Sequence, residues 1–269
     1  MSSLVNVEMK DHVAHVALNR PEKHNALSLD MFEAIVAAGE SLQKDENVRA
    51  IVLSGEGPSF CAGLDFAEMQ SLIADQKTAV VSLGRLFKRD EGPDNVAQRV
   101  AYVWQKIDVP VIAALHGTVY GGGMQIALGA DIRIAAPDAK FSIMEIRYGL
   151  VPDMSITQTL PDIMPKDKAL ELTLTGRVFS SVEAENLGVA TLIDDQPLAK
   201  AEAIAQEIAQ KSPDAIRGVK KLYRESWRED ADKTLALEEA LQRELIGSRN
   251  QIEAVMASVQ KRPANFGKA

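Results

Sequence analysis

The chain has 269 residues, of which 46% are hydrophobic and 25% are charged, which is ordinary for a globular protein. Its formal net charge of -8 argues against general nucleic-acid binding, which usually relies on a basic surface. Cys61 is the single cysteine, so an intramolecular disulfide is excluded. We find no signal-peptide pattern, no apolar run long enough to span a bilayer and no peroxisomal address, and we therefore expect a cytosolic protein.

The first third of the chain alternates between strand and helix patterns. Residues 5–8 and 13–18 are predicted strands, and a polar loop at 19–28 follows them. Ser28 is expected to cap the helix that comes next, whose apolar residues recur at intervals of three and four. "RAIVLSG" is a compact buried strand, and "EGPSFCAGLDF" after it is a loop. Residues 66–95 show helical patterns with a polar break.

The alternation continues through the middle of the chain. "NVAQRVAYVWQKID" is a predicted helix and "VPVIAALHG" a predicted strand. The glycine triplet Gly121–Gly123 opens another helix, and "DIRIAA" and "KFSIMEI" are predicted strands. Strands and helices that alternate with turn signals between them indicate an α/β fold.

After residue 195 only helical patterns are found. Four segments follow one another, and Pro213 occupies a position that is typical of the first turn of a helix. The sequence thus divides into an α/β region at 1–195 and a helical region at 196–269. A helical region appended to an α/β core often covers a neighbour or builds an oligomer.

Two loops have the layout of a binding site for an oxyanion. "IVLSGEGPSFCAGLD" and "VIAALHGTVYGGGMQIAL" each run from a buried strand through a glycine-containing loop into a helix. The N–H groups at a helix start are unpaired and favour negative charge, so two such starts can form an oxyanion hole. No dinucleotide fingerprint, phosphate-binding loop or nucleophile elbow is present. The alternative is that the glycines only permit tight packing.

Two carboxylates are placed near apolar residues. Glu145 lies on the strand-like stretch "KFSIMEI", and Asp153 follows a loop that contains glycine and proline. Burial can raise the pKa of such groups into the range used for proton transfer.

Several motifs in the same order make the chain similar to the crotonase superfamily, also called the enoyl-CoA hydratase/isomerase family. They are "LNRPEKHNALS", "FCAGLDFAEM", "PVIAALHGTVYGGGMQIALGADIRIAAPDAKFSIMEIRYGLVPD", "LTLTGRVFSSVEAENLGVA" and "QKRPANFGK". The resemblance implies an α/β spiral of repeated ββα units at 1–195 that holds the acyl-CoA site. It also implies a helical trimerisation region at 196–269, and so a homotrimer or hexamer. Coenzyme A would be part of the substrate, and no separate cofactor is expected.

The resemblance also implies roles for individual residues. The N–H groups of Leu64 and Gly122 would form the oxyanion hole, and Glu145 and Asp153 would be catalytic. The expected contacts with the substrate and its CoA moiety are Lys23, His24, Asn25, Ala26, Ala62, Gly63, Gln125, Phe266 and Lys268. Phe266 and Lys268 match a segment that often reaches CoA from a neighbouring subunit. The four histidines show no metal-ligand spacing, so no metal is expected.

One position departs from the hydratase pattern. Typical 2-enoyl-CoA hydratases use two glutamates, and Gln125 stands where the first is expected; an amide cannot act as acid or base. Glu145 and Asp153 have the spacing of the acidic pair in dienoyl-CoA isomerases, which convert 3,5-dienoyl-CoA to 2,4-dienoyl-CoA, although those usually have a third acid where Gln125 stands. This isomerisation is the predicted activity.

Other activities stay open. They are a 3,2-enoyl-CoA isomerase that needs only Glu145, a 2-enoyl-CoA hydratase and, outside the enzymes, a non-catalytic scaffold that binds acyl-CoA. Aryl-CoA dehalogenases use an aspartate at the position of Asp153, but they lack a glutamate at that of Glu145.

Overall fold

A computed structural model describes residues 3–65, 67, 70, 76–90 and 92–268. Its centre is a six-stranded sheet with the strand order β1-β2-β3-β4-β6-β9, beside a three-stranded sheet with the order β5-β7-β8. The strands are β1 (Val5–Lys10), β2 (Val13–Leu18), β3 (Ala50–Gly55), β4 (Val111–Leu115), β5 (Thr118–Tyr120), β6 (Ile132–Ala135), β7 (Lys140–Ser142), β8 (Phe179–Ser180) and β9 (Leu192–Ile193).

The large sheet is parallel apart from its first hairpin. β1 and β2 pair antiparallel, with Val5 opposite Leu18, while β2, β3, β4, β6 and β9 pair parallel in turn. In the small sheet β5 pairs parallel with β7, and β7 pairs antiparallel with β8. The carboxyl ends of the parallel strands therefore lie at one edge of the large sheet, where the loops that follow β3 and β4 come together.

Helices cover both faces of the large sheet. The described α-helices are α1 (Leu29–Gln43), α2 (Gln76–Leu86), α3 (Val96–Lys106), α4 (Gly122–Leu128), α5 (Ile156–Thr159), α6 (Lys166–Thr175), α7 (Ser181–Asn186), α8 (Pro197–Ala209), α9 (Pro213–Ser226), α10 (Ala231–Leu245) and α11 (Arg249–Gln260). Side-chain caps fix the first residues of several helices. Ser28 accepts the N–H of Met31 at the start of α1, as predicted, and Asn95 forms a capping box with Gln98 at the start of α3.

The core is divided between the two faces of the sheet because successive side chains of a strand point to opposite sides. Ile51 and Leu53 of β3 belong to the larger cluster, together with residues of α1, α3 and α4. Ala50 and Val52 belong to a smaller cluster that α8 closes with its alanine stripe of Ala201, Ala205 and Ala209.

The C-terminal region is helical, as predicted: strand β9 ends at Ile193, and α8 to α11 follow. Its first helix shares a hydrophobic core with the sheet, so α8 packs as a layer of the α/β unit, and the division at residue 195 stays a prediction. α9 is tied to the core by Lys220, whose buried ammonium group donates to Asp131 at 2.7 Å and to the carbonyl oxygens of Trp104 and Val109.

The strand predicted over "KFSIMEI" is wrong in its second half. β7 ends at Ser142, and Glu145–Tyr148 form a 3-10 helix that Gly149 ends. The apolar residues that suggest a strand are buried at Phe141 and Ile143, but the chain turns away after them. Among the described helices, none is long and apolar enough to cross a bilayer.

Candidate active site

The loop after β3 is held against β5 and the start of α1. Cys61 donates its N–H to Thr118 at 3.1 Å and accepts from the N–H of Tyr120 at 3.0 Å. Gly63 adopts a φ of 90°, which favours glycine, and its carbonyl accepts the N–H of Leu27 at 2.7 Å. These bonds fix the direction of the N–H group of Leu64.

Glycine is needed at each position of the triplet for a different physical reason. Gly121 caps α4 with a φ of 51°, and its N–H donates to Ser142 at 2.9 Å. A Cβ atom at Gly123 would overlap the carbonyl oxygen of Cys61, so this glycine permits close packing. A Cβ atom at Gly122 would lie 2.7 Å from Leu27 Cδ1 and 3.0 Å from Met154 Sδ, both of which belong to residues of the pocket wall.

The two predicted oxyanion donors are neighbours. A Cβ atom built on Gly63, the residue before Leu64, would lie 3.6 Å from the nitrogen of Gly122. Within the described part of the chain, neither the Leu64 N–H nor the Gly122 N–H has a protein acceptor. Two unpaired donors thus meet at the start of α4, where the helix dipole also favours negative charge.

These donors border a largely apolar pocket with a cavity volume of about 200 Å³. Its polar side chains include Gln125, Glu145 and Asp153. The other lining residues are Leu27, Phe32, Ala62, Gly63, Leu64, Leu83, Leu86, Phe87, Ala97, Gly121, Gly122, Met144, Tyr148, Leu150, Val151 and Met154. The structure therefore brings both predicted carboxylates and both predicted donors to one cavity.

Glu145 begins the 3-10 helix and lies beside the triplet: its Oε1 is 3.5 Å from the position of a Cβ atom on Gly121. Oε1 accepts a hydrogen bond from Gln125 at 2.6 Å, whereas Oε2 is buried and has no partner among the described residues. Burial raises the pKa of Glu145, and the nearby charge of Asp153 raises it further.

Asp153 lies on the same pocket wall and is more exposed than Glu145. The surrounding apolar residues still desolvate its carboxyl group, and this raises its pKa. The segment after Asp153 is fixed at two points: the Met154 N–H donates to Gln125 Oε1 at 2.8 Å, and the Ser155 hydroxyl donates to the carbonyl of Gln98 at 2.9 Å.

Residues 23–26 form a tight turn next to the loop after β3. The side chains of Lys23 and His24 are exposed, and His24 Nδ1 lies 2.9 Å from Ser59 Oγ. Asn25 is fully buried: its Nδ2 donates to three backbone carbonyls and its Oδ1 accepts the N–H of Arg20. Ala26 is also buried, and the N–H of Ala62 donates to His24. Asn25 thus shapes this loop from within.

Phe266 and Lys268 lie elsewhere in the same chain. The carbonyl of Phe266 accepts from Arg49, which precedes β3, and the carbonyl of Lys268 accepts from Asn250 at 3.4 Å. The turn at 23–26 contacts the other end of β3, since Asn25 donates to Glu56. The chain therefore does not bring its C-terminal segment to its own pocket.

Sequence reasoning missed an ion pair that holds the two loops together. Arg20 Nη1 donates to Asp65 Oδ2 at 2.6 Å and to the carbonyl of Ala26 at 3.1 Å. The two charged residues are 45 positions apart, and no local pattern connects them. Ser155 was missed as well, and its left-handed φ of 65° has no glycine or asparagine to signal it. Within the described ranges, no group of side chains could hold a metal ion.

The sequence matches the enoyl-CoA hydratase/isomerase family over residues 8–269. The peroxisomal Δ(3,5)-Δ(2,4)-dienoyl-CoA isomerase of Arabidopsis thaliana is 34% identical over 262 residues, which cover 95% of this chain and 93% of the relative. A probable enoyl-CoA hydratase of Mycobacterium bovis is 32% identical over 265 residues, which cover 97% and 96%. Relatives named for both activities are thus similarly close.

The fold agrees with solved structures. A crystal structure of a putative enoyl-CoA hydratase/isomerase from Mycobacterium abscessus superposes with a TM-score of 0.88 at 29% identity, covering 98% of this chain and 100% of that one. An enoyl-CoA hydratase from Bacillus anthracis gives a TM-score of 0.87 at 27% identity, covering 98% of each chain. With its α/β crotonase fold and this sequence match, the chain belongs to the enoyl-CoA hydratase/isomerase family.

Proposed function

We propose that the protein isomerises a 3,5-dienoyl-CoA to the 2,4-dienoyl-CoA. One observation carries this proposal: two carboxyl groups with raised pKa values, Glu145 and Asp153, line one apolar pocket beside the unpaired N–H groups of Leu64 and Gly122. Moving two double bonds requires a proton to leave one carbon and another to be added at a distant carbon, and two separate carboxyl groups suit that requirement.

The oxyanion hole stabilises the intermediate. The thioester oxygen accepts from the Leu64 and Gly122 N–H groups, and the bonds strengthen when a C2 proton leaves and negative charge reaches that oxygen. One donor of this kind contributes about 3 kcal/mol to the transition state. The apolar lining keeps water away, which increases the effect of each dipole.

We assign the C2 proton to Glu145 because its carboxylate lies beside Gly121, next to the Gly122 donor. The C2–H bond breaks and its proton passes to Glu145, while the electron pair spreads over the thioester oxygen, C2, C4 and C6. Asp153 gives a proton to C6, which leaves double bonds at C2–C3 and C4–C5. The enzyme must therefore start with Glu145 ionised and Asp153 protonated, and exchange with solvent restores that state after turnover.

A second activity has its own support. A 3-enoyl-CoA needs only one group that moves a proton between neighbouring positions, and Glu145 has a buried oxygen without a partner for this purpose. Hydration of a 2-enoyl-CoA is less well supported, because the Gln125 amide cannot act as the second acid or base and is already engaged with Glu145 and Met154.

The assembly and the binding of CoA are part of the same proposal. Lys23 and His24 are exposed beside the pocket loops, which suits contact with the phosphates and adenosine of CoA. Phe266 and Lys268 reach a CoA molecule only from a second subunit, because they lie far from the pocket of their own chain. We therefore propose a homotrimer, alone or paired as a hexamer, located in the cytosol.

A substrate panel tests the activity. The purified protein is incubated with 2-enoyl-, 3-enoyl- and 3,5-dienoyl-CoAs of equal chain length, and the products are identified by mass and ultraviolet absorbance. We expect the dienoyl substrate to give 2,4-dienoyl-CoA with the highest kcat/KM. Formation of 3-hydroxyacyl-CoA from the 2-enoyl substrate as the main activity would overturn the proposal, and turnover of the 3-enoyl substrate alone would leave the single-glutamate isomerase.

A further inference from the structure

Gln125 lies between the two segments that carry the carboxyl groups, and it is only 1% exposed. Its Nε2 donates to Glu145 Oε1 at 2.6 Å, and its Oε1 accepts the N–H of Met154 at 2.8 Å. Because Met154 follows Asp153 directly, a single side chain contacts the carboxylate of one segment and the backbone of the other.

We propose that Gln125 is a positioning residue that sets the geometry of both proton-transfer groups, an inference that rests on the proposed isomerase function. With Oε1 of Glu145 held by the amide, the buried Oε2 is the oxygen that is free to take the C2 proton. The bond to Met154 holds the backbone next to Asp153 at a fixed distance from Glu145.

The chemistry of the amide explains why glutamine suits this position. A primary amide presents a donor and an acceptor on one planar group, which is what Glu145 and the Met154 N–H require. It is also neutral. An ionised carboxylate has no donor for Glu145 and would add a negative charge to a pocket in which two carboxyl groups already have raised pKa values.

Two substitutions separate this role from simple packing. Gln125→Met keeps the length of the side chain and removes both hydrogen bonds. Gln125→Glu keeps the shape and removes the donor while the new group is ionised. Gln158→Glu is the matched control, because it makes the same chemical change at an exposed residue of α5 that does not line the pocket.

The first measurement is the pH dependence of kcat and KM with a 3,5-dienoyl-CoA. We expect Gln125→Met to lower kcat by about 10- to 100-fold with KM changed less than about threefold, since small displacements of reacting groups have effects of this size. Gln125→Glu should lose activity at neutral pH and regain part of it as the pH falls, because a protonated carboxyl group again offers a donor and an acceptor. The control should match the wild-type profile.

The second measurement needs no substrate. Glutamate labelled with ¹³C at the side-chain carboxyl carbon allows the pKa of Glu145 to be followed by NMR, with its resonance identified by loss in Glu145→Gln. The hydrogen bond from Gln125 lowers this pKa, so both Gln125 variants should raise it, and the control should leave it unchanged.

The outcomes are distinguishable. The positioning role is overturned if Glu145 titrates as in the wild type in both Gln125 variants. It is equally overturned if kcat and its pH profile are unchanged in both variants. If the titration shifts as expected but the wild type does not turn over any dienoyl-CoA, the positioning role of Gln125 stands and the proposed function fails.

Discussion

Glu145 and Asp153 share one apolar pocket, in which burial disfavours the ionised form of each carboxyl group. Desolvation is the main cause of the raised pKa of both groups, and the charge of Asp153 raises the pKa of Glu145 further. The raised pKa values lie closer to the range used for proton transfer than those of exposed carboxyl groups. A reaction in which one group accepts a proton and the other donates one depends on such a shift.

The first prediction tests both carboxyl groups on 3,5-dienoyl-CoA. Glu145→Gln and Asp153→Asn should each lower kcat by at least about 100-fold, a common scale for losing general acid–base catalysis. The double variant should be little worse than the poorer single variant, because groups that act in one mechanism are not additive. Normal turnover of the dienoyl substrate by Asp153→Asn would refute the role of Asp153.

The second prediction concerns stability. The folded-state pKa of Glu145 lies above its ordinary value of 4.5, so its contribution to stability is present below that value and is lost as the pH rises through the raised pKa. Glu145→Gln removes the buried charge, and its new carbonyl oxygen can still accept from Gln125. We expect its Tm to exceed that of the wild type by about 2 °C or more near pH 8.

Calorimetry at two pH values measures this effect. Near pH 4 the advantage should shrink, since the wild-type carboxyl group is then protonated. Lys23→Gln, at an exposed site, serves as a control for the general effect of a charge change. An equal difference in Tm at both pH values would contradict the raised pKa of Glu145.

The restoration of a carboxylate gives the third prediction. Gln125→Glu recreates the two-glutamate arrangement of the hydratases, and we expect a low activity on 2-enoyl-CoA that forms 3-hydroxyacyl-CoA and is absent from the wild type. Product analysis by mass spectrometry detects it. The absence of any hydrated product would mean that the pocket excludes water for reasons beyond the missing carboxylate.

Local sequence patterns gave the residue types of the pocket and the loop positions, while the bonds between distant residues could not be derived from them. Resemblance to the family singled out Leu64, Gly122, Glu145 and Asp153, and all four border one cavity. The double contact of Gln125 depends on the Met154 backbone, 29 residues away, and no periodicity encodes such a distance.

At the scale of the element, α4 is a short helix whose start is more important than its length. The segment Gly122–Leu128 is entirely buried, so packing against the core supports it in spite of its poor intrinsic propensity. The prediction that the triplet opens a helix was confirmed, because apolar residues with helical spacing follow the glycines. The strand over Glu145 was wrong because the run of buried residues that begins at Phe141 ends at Ile143, and the chain then turns into the 3-10 helix.

The fourth prediction tests the start of α4. In Gly122→Val the new side chain would meet Leu27 Cδ1 and Met154 Sδ at the mouth of the pocket, and it would occupy space needed by the thioester. We expect kcat/KM to fall by at least about 100-fold, the lower end of the effect of losing one oxyanion donor, with a smaller relative loss of stability.

Turnover and thermal unfolding of Gly122→Val are compared with those of Gly84→Val in α2, where an added Cβ atom has no heavy atom within 4 Å. Both variants introduce the same β-branched residue into a helix. Turnover by Gly122→Val that stays close to that of Gly84→Val would remove Gly122 from the oxyanion hole.

At the scale of the whole molecule, the C-terminal helices present apolar side chains to the outside. Val219 and Tyr223 of α9 and Trp227 directly after it recur at intervals of four and are all more than half exposed. Lys220 anchors the helix to the core. Exposed apolar surface of this kind commonly marks an interface, which supports the proposed assembly.

The fifth prediction is the size of that assembly. Sedimentation equilibrium should give three or six copies of the 29.2 kDa chain. Deletion of residues 213–269 should cause aggregation, because it exposes the core surface on which α9 rests. A stable monomer of the full chain at micromolar concentration would refute the oligomer.

The placement of α8 has a consequence for the order in which the nascent chain can fold. Val13, Ala50 and Val52 are among the first core residues to be synthesised, yet their face of the sheet is closed by α8, which ends at Ala209. At typical elongation rates this face stays uncovered on the ribosome for on the order of 10 s. The parallel strands of this sheet must also pair with strands that are distant in the sequence, and such pairings form slowly. We therefore expect the emerging chain to need chaperone protection until α8 has left the exit tunnel.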